Sequence, residues 1–103
     1  MARPPIHPGE ILADELEELG MSATKLAKIL MVPPNRITQI LNGRRGITAE
    51  TALRLARWLG TSPEFWMNLQ NSYELRLAEQ EKGPEIQRTI TPIARPDFNL
   101  SLQ

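Results

Sequence analysis

The sequence predicts an all-α fold of five helices followed by an extended C-terminal tail, and three observations lead there. Apolar residues recur at three- and four-residue spacing in five separate windows, the period of a helix with one buried face. Each window opens on a serine, threonine or proline suited to a first helical turn, and four of them close on a glycine, the usual start and stop signals. The stretch beyond Gly83 instead mixes Pro84, Pro92 and Pro96 with the β-branched Ile90, Thr91 and Ile93, too little apolar mass to offset its own ordering entropy. A folded domain over residues 1–82 and a tail over 83–103 are therefore expected, the tail extended and ordering only against a partner.

In the first helix Pro8 suits the opening turn, Glu10 favours the positive end of the helix dipole, and Ile11, Leu12, Leu16 and Leu19 form the stripe that Gly20 ends. Ser22 caps a second helix of two or three turns, with Leu26, Ala27, Ile29 and Leu30 inward and Lys25 and Lys28 outward. A very short turn at Met31 and Val32 leads to a third helix, where Pro34 sits at no cost to hydrogen bonding and Gly43 is the stop. Thr48 caps the fourth, with Ala49, Ala52, Leu53, Ala56 and Leu59 expected on its buried face and Gly60 behind it; Arg54 and Arg57 face away. Ser62 and Pro63 start the fifth, in which Trp66, Leu69, Tyr73 and Leu77 share a face, and Gly83-Pro84 is expected to close it near Lys82.

Composition narrows the function. With 103 residues there is room for one core. The absence of cysteine excludes disulfides, thiolate metal sites and a cysteine nucleophile. No apolar run approaches the length of about 18 residues that spans a bilayer, and the start MARPPIHPGE lacks a signal core, so a soluble, cytoplasmic protein is expected. Formal net charge is zero, yet the charges are segregated. Residues 1–20 carry Arg3 against Glu10, Asp14, Glu15, Glu17 and Glu18, a net −4. Residues 21–58 carry Lys25, Lys28, Arg36, Arg44, Arg45, Arg54 and Arg57 against Glu50 alone, a net +6.

That basic block surrounds the third helix. At about 100° per residue, Ile37, Ile40 and Leu41 fall on one side and Asn35, Gln39 and Asn42 on the other, flanked by Arg36 and Thr38. Asn and Gln can bond adenine N6 and N7, Arg can bond guanine O6 and N7, and a Thr methyl can meet that of thymine; each good bidentate pair gives about 1–3 kcal/mol of discrimination. Base contacts specify only after phosphate contacts set the register. Arg44 and Arg45, just past Gly43, can supply these together with Lys25, Lys28, Thr24 and the N-terminal amides of the two short helices. Two short helices across a tight turn, the first on the backbone and the second in the major groove, constitute helix-turn-helix docking. The motif is expected over about residues 22–43.

The stretch SATKLAKILMVPPNRITQILNGRRGIT resembles the helix-turn-helix of the Cro/repressor-like superfamily, the XRE family. HPGEIL, from His7 to Leu12, and SPEFWMNLQNSYEL, from Ser62 to Leu75, resemble the two signatures of its HigA/VapI branch. The resemblance implies a dimeric, all-helical antitoxin that represses its own operon and binds a small RelE-like endoribonuclease toxin of the HigB type. By position, Pro34, Asn35, Arg36, Thr38 and Gln39 match the opening turns of the family's recognition helix, and Arg44 and Arg45 its phosphate-contacting loop. Two positions depart from the pattern. Met31 stands where many relatives have a left-handed glycine, and Pro33 where a capping Ser or Thr is usual.

Two recognition helices are needed to meet half-sites about 34 Å apart, so a homodimer is expected, with Trp66, Leu69, Tyr73 and Leu77 as interface candidates. The acidic first helix would attract a basic toxin, and the Ile90–Ile93 run would add a strand to a toxin sheet edge. A stand-alone regulator without a toxin would carry the same DNA-binding residues. An enzyme is not expected: His7, the only histidine, lies in a proline-rich lead-in to the first helix, and no spaced carboxylate pair, phosphate-binding glycine loop or metal cluster accompanies it. No cofactor is implied.

Overall fold

The computed structural model describes residues 4–94. Among them it has five helices and no strand: α1 (Pro8–Leu19), α2 (Ala23–Leu30), α3 (Pro34–Leu41), α4 (Ala49–Leu59) and α5 (Pro63–Thr89). The expected caps are in place. The Ser22, Thr48 and Ser62 hydroxyls accept from the main-chain N–H groups three residues on. The first helix has a less common device, because His7 supplies its N-cap and Glu10 completes a capping box.

Leu12 and Leu16 from α1, Leu26 and Leu30 from α2, Ile37 and Ile40 from α3, Leu55 from α4 and Trp66 from α5 form one core, with Ile47 from the loop before α4. Each helix before α5 is too short to be stable alone, so this shared core holds them. Four expected core positions lie outside it, among them Ala49, which is exposed at the start of α4. Leu19 and Ile29 are exposed, and Leu53 is 60% exposed where Leu55 is fully buried. The fourth helix has leucines on both sides, and contact with α2 and α5 selects the face of Thr51, Ala52, Leu55 and Ala56.

The fifth helix also differs from expectation. It continues through Gly83-Pro84 to Thr89, which moves the start of the extended segment from residue 83 to Ile90. Gly83 does not take the left-handed conformation that a glycine stop requires. Proline lacks an N–H, but its fixed φ suits the first turn of the helix that follows it. The Ile90 N–H bonds the Ile86 carbonyl at 2.9 Å, and the Thr89 hydroxyl bonds that of Glu85 at 2.8 Å. Of the expected tail, residues 95–103 lie outside the described residues.

Candidate nucleic-acid interface

The turn between α2 and α3 is a Schellman motif. The Met31 N–H bonds the Lys28 carbonyl at 3.2 Å and the Val32 N–H bonds that of Ala27 at 3.0 Å, with Met31 at φ 61°. Met31 is the one residue other than glycine with positive φ among those described, a conformation costing about 1–2 kcal/mol in a residue with a Cβ. Across the turn, Arg54 of α4 donates to the Leu30 carbonyl at 2.9 Å while paired with Glu50 at 2.8 Å. It thereby satisfies a carbonyl that the end of α2 leaves over. Arg54, expected to face solvent, instead ties α4 to the motif.

Pro33 gives α3 no side-chain cap, as its chemistry requires. On the outer side Asn35, Thr38 and Asn42 are exposed, Arg36 and Gln39 are half-buried, and the Thr38 hydroxyl donates to the Pro34 carbonyl at 3.1 Å. That bond uses the hydroxyl proton and leaves the Thr38 methyl for an apolar contact. Arg36 lies near enough to α4 to join Arg54, the larger influence, in lowering the Glu50 pKa.

A second Schellman motif ends α3. Gly43, at φ 77°, donates to Ile40 at 3.1 Å, and Arg44 donates to the Gln39 carbonyl at 2.9 Å. The Arg45 N–H meets the same carbonyl at 3.2 Å, and its Nε donates to Gln39 Oε1 at 3.1 Å. Arg44 and Arg45 are thus folded back beside the outer side of α3, and Gln39 links the ridge to the basic loop. Thr24 and Pro34, at the starts of α2 and α3, are exposed.

Among the interface candidates, Leu69, Tyr73 and Leu77 are half-buried, whereas Trp66 is 1% exposed in its own chain. Trp66 belongs to the core and has no surface to offer a partner.

Sequence reasoning missed what stands behind the α3–α4 loop. Gln70 of α5 is buried. Its Oε1 accepts the Ile47 N–H at 2.7 Å and its Nε2 donates to Glu74 at 2.7 Å. Gly46 lies so close to this amide that a Cβ would stand 2.6 Å from Nε2. At the other end of the loop, the backbone of Gly9 abuts the Ile40 carbonyl so tightly that a Cβ would overlap its oxygen. Between them is His7, whose Nδ1 accepts the Gly9 N–H at 2.8 Å and whose ring meets Tyr73 edge to face at 4.8 Å. Burial holds the His7 pKa below its ordinary 6.5, against opposing pulls from the Glu10 carboxylate and the Arg45 main-chain carbonyl. The available signal was the pair of signatures: His7 and Gly9 come from one, Gln70 and Tyr73 from the other.

A recognition-type helix, a left-handed turn before it and an arginine loop after it define a helix-turn-helix DNA-binding architecture, and the helix-turn-helix family model matches residues 12–66. The chain is 54% identical to virulence-associated protein I of Dichelobacter nodosus over 96% of its own length and 91% of that protein's. Among solved structures it resembles an addiction module antidote protein of the HigA family from Coxiella burnetii, at 56% identity and a TM-score of 0.87, covering 88% of this chain and all of that one. The antitoxin HigA of Pseudomonas aeruginosa, solved with the higBA promoter, matches at 46% identity and a TM-score of 0.84 over 86% of this chain and 98% of that one. The chain belongs to the XRE-type helix-turn-helix family, in its HigA/VapI branch.

Proposed function

We propose that the protein is a HigA-like antitoxin that binds operator DNA as a dimer, represses its own operon and neutralises a small RelE-like endoribonuclease toxin of the HigB type in the cytoplasm. The observation that carries the DNA-binding part is the joined surface of α3 and its loop. Asn35, Thr38, Gln39 and Asn42 form a polar ridge suited to base edges, and the main chain of Arg44 and Arg45 and the side chain of Arg45 are hydrogen-bonded to Gln39 of that ridge, which supports a role for both arginines on the flanking phosphates. The Pseudomonas relative solved with promoter DNA supports this reading. Thr24, Pro34 and Arg36 complete the contact set.

The second half of α5 supports dimerisation. A helix of 27 residues is about 40 Å long, and beyond Gln70 it carries the half-buried Leu77 and the exposed Leu75 and Ile86. A stable interface buries about 800 Å² per partner, and Phe65, Leu69, Tyr73, Leu75, Leu77 and Ile86 are apolar surface that α5 offers to it. For the toxin, Asp14, Glu17 and Glu18 are exposed on α1, and Ile90 is extended at φ −114° and ψ 120° with Ile90 and Ile93 exposed. These suit attraction to a basic partner and strand addition, respectively.

The deciding experiment is growth after induction of the short reading frame encoded next to this one, alone and with this protein. Arrest relieved by co-expression is the expected result. No arrest, or arrest left unrelieved, would leave a stand-alone regulator with the same DNA contacts.

A further inference from the structure

The arginine loop is short and contains Gly43 and Gly46, so left to itself it would be loose. Ordering a residue's backbone costs about 1–2 kcal/mol, and a loop ordered only on binding would lose that from its affinity. Here the loop is held from the side opposite its exposed arginines. Gly9 supports Ile40 at its start, the His7 ring lies beside the Arg45 main chain at its middle, and Gln70 holds the Ile47 N–H at its end. Ile47 is 3% exposed, so without Gln70 its N–H would be a buried donor with no acceptor.

We propose that His7 and Gln70 are positioning residues for DNA binding: from behind the loop they fix the backbone that presents Arg44 and Arg45, and so set the phosphate grip without touching DNA. The inference rests on the DNA-binding reading above and adds to it two residues outside the helix-turn-helix. It also links the two signature segments physically, since Tyr73 of the second packs on His7 of the first, and Glu74 beside Tyr73 orients Gln70.

The test measures binding to a duplex covering the promoter of the protein's own operon, and to a scrambled duplex, across a salt series. For Gln70→Leu the affinities for both duplexes should fall together, by roughly tenfold or more, and the salt slope should drop by about one. Exchanging the pair, Gln70→Glu with Glu74→Gln, retains an acceptor for Ile47 and reverses the side-chain bond, and should restore the slope. His7→Asn separates positioning from folding. Asn is a good N-cap, so α1 should keep its cap and the protein should stay folded, with some thermal stability lost along with the ring contact to Tyr73; the ring beside the Arg45 main chain is gone, and the slope should fall. If Gln70→Leu fails to fold, His7→Asn decides alone. Folded variants with wild-type affinity and slope would overturn the proposal while leaving the DNA-binding reading intact. A wild-type protein without salt-dependent binding to either duplex would overturn that reading itself.

Discussion

On the outer side of α3, Asn35, Thr38 and Asn42 are exposed polar groups, while on the inner side Ile37 and Ile40 are fully buried and the last turn rests on the backbone of Gly9. The two sides answer to different constraints. Inner residues are set by volume, because a packed interior registers the loss of a single methylene. Outer residues contribute little to folding and are free to be set by what they recognise. One eight-residue helix therefore carries two separable properties, and substitutions on its two sides should affect different measurements.

The largest effect on stability is expected from the inner side. Ile37→Ala removes a side chain with no exposed surface and should cost about 2–5 kcal/mol. A domain of this size loses about 4–8 °C of melting temperature per kcal/mol, so thermal denaturation reads it directly. A loss below about 1 kcal/mol would mean that the inner side is not held as tightly as its burial indicates.

Asn35→Ala is the matching change on the outer side. Stability should stay within about 0.5 kcal/mol of wild type, while operator binding weakens by about 1–3 kcal/mol and binding to scrambled DNA is unchanged. Equal loss on both duplexes would move Asn35 from the base-reading set to the phosphate-contacting set.

The outer side was largely legible in the sequence, and the supports behind it were not. Helix starts and stops follow from local chemistry, so the caps at Ser22, Thr48 and Ser62 and the left-handed Gly20, Gly43 and Gly60 stand where a linear reading puts them. The choice between Leu53 and Leu55 depends on which neighbours α4 meets, and its own periodicity supports either side. Trp66, an interface candidate from its spacing, belongs to the core for the same reason. The reading at Pro84 failed because an interior proline removes one i→i−4 bond without forbidding the helix, and its fixed φ is compatible with the turn that follows. Apart from its place in a signature segment, Gln70 gave no sign of its role: a glutamine on a helix is ordinarily solvated, and only the tertiary fold brings it to Gly46 and the Ile47 N–H.

His7 is expected to make stability sensitive to pH. Its neighbours are Glu10 from α1, Tyr73 from α5 and the Arg45 carbonyl from the loop, and burial outweighs the two that favour its charge. The folded-state pKa therefore lies below the unfolded value of 6.5. In the interval between the two, the unfolded chain holds a proton that the folded chain does not, so stability rises with pH there. The contribution is complete above the unfolded value and is lost as pH falls through the folded one. Denaturant midpoints should decline on acidification below neutrality, and His7→Asn should remove that part of the decline. A wild-type profile flat over this interval would mean that His7 titrates alike in both states.

The smallest effect belongs to the turn joining the two sides, and its sign is the informative part. Met31 holds a left-handed conformation with its side chain 81% exposed, so replacement by glycine sacrifices little packing. Relief of about 1–2 kcal/mol of backbone strain is opposed by about 0.4–1 kcal/mol of extra chain entropy in the unfolded state. Met31→Gly should therefore be stabilising, by somewhat under about 1 kcal/mol, and chemical denaturation can resolve the gain. The turn's hydrogen bonds from Met31 to Lys28 and from Val32 to Ala27 are main-chain bonds, so glycine can keep them and the placement of α3 against α2. Operator affinity should consequently stay level while stability rises. Weakened operator binding in a more stable protein would instead show that the exposed methionine side chain belongs with the outer side of α3.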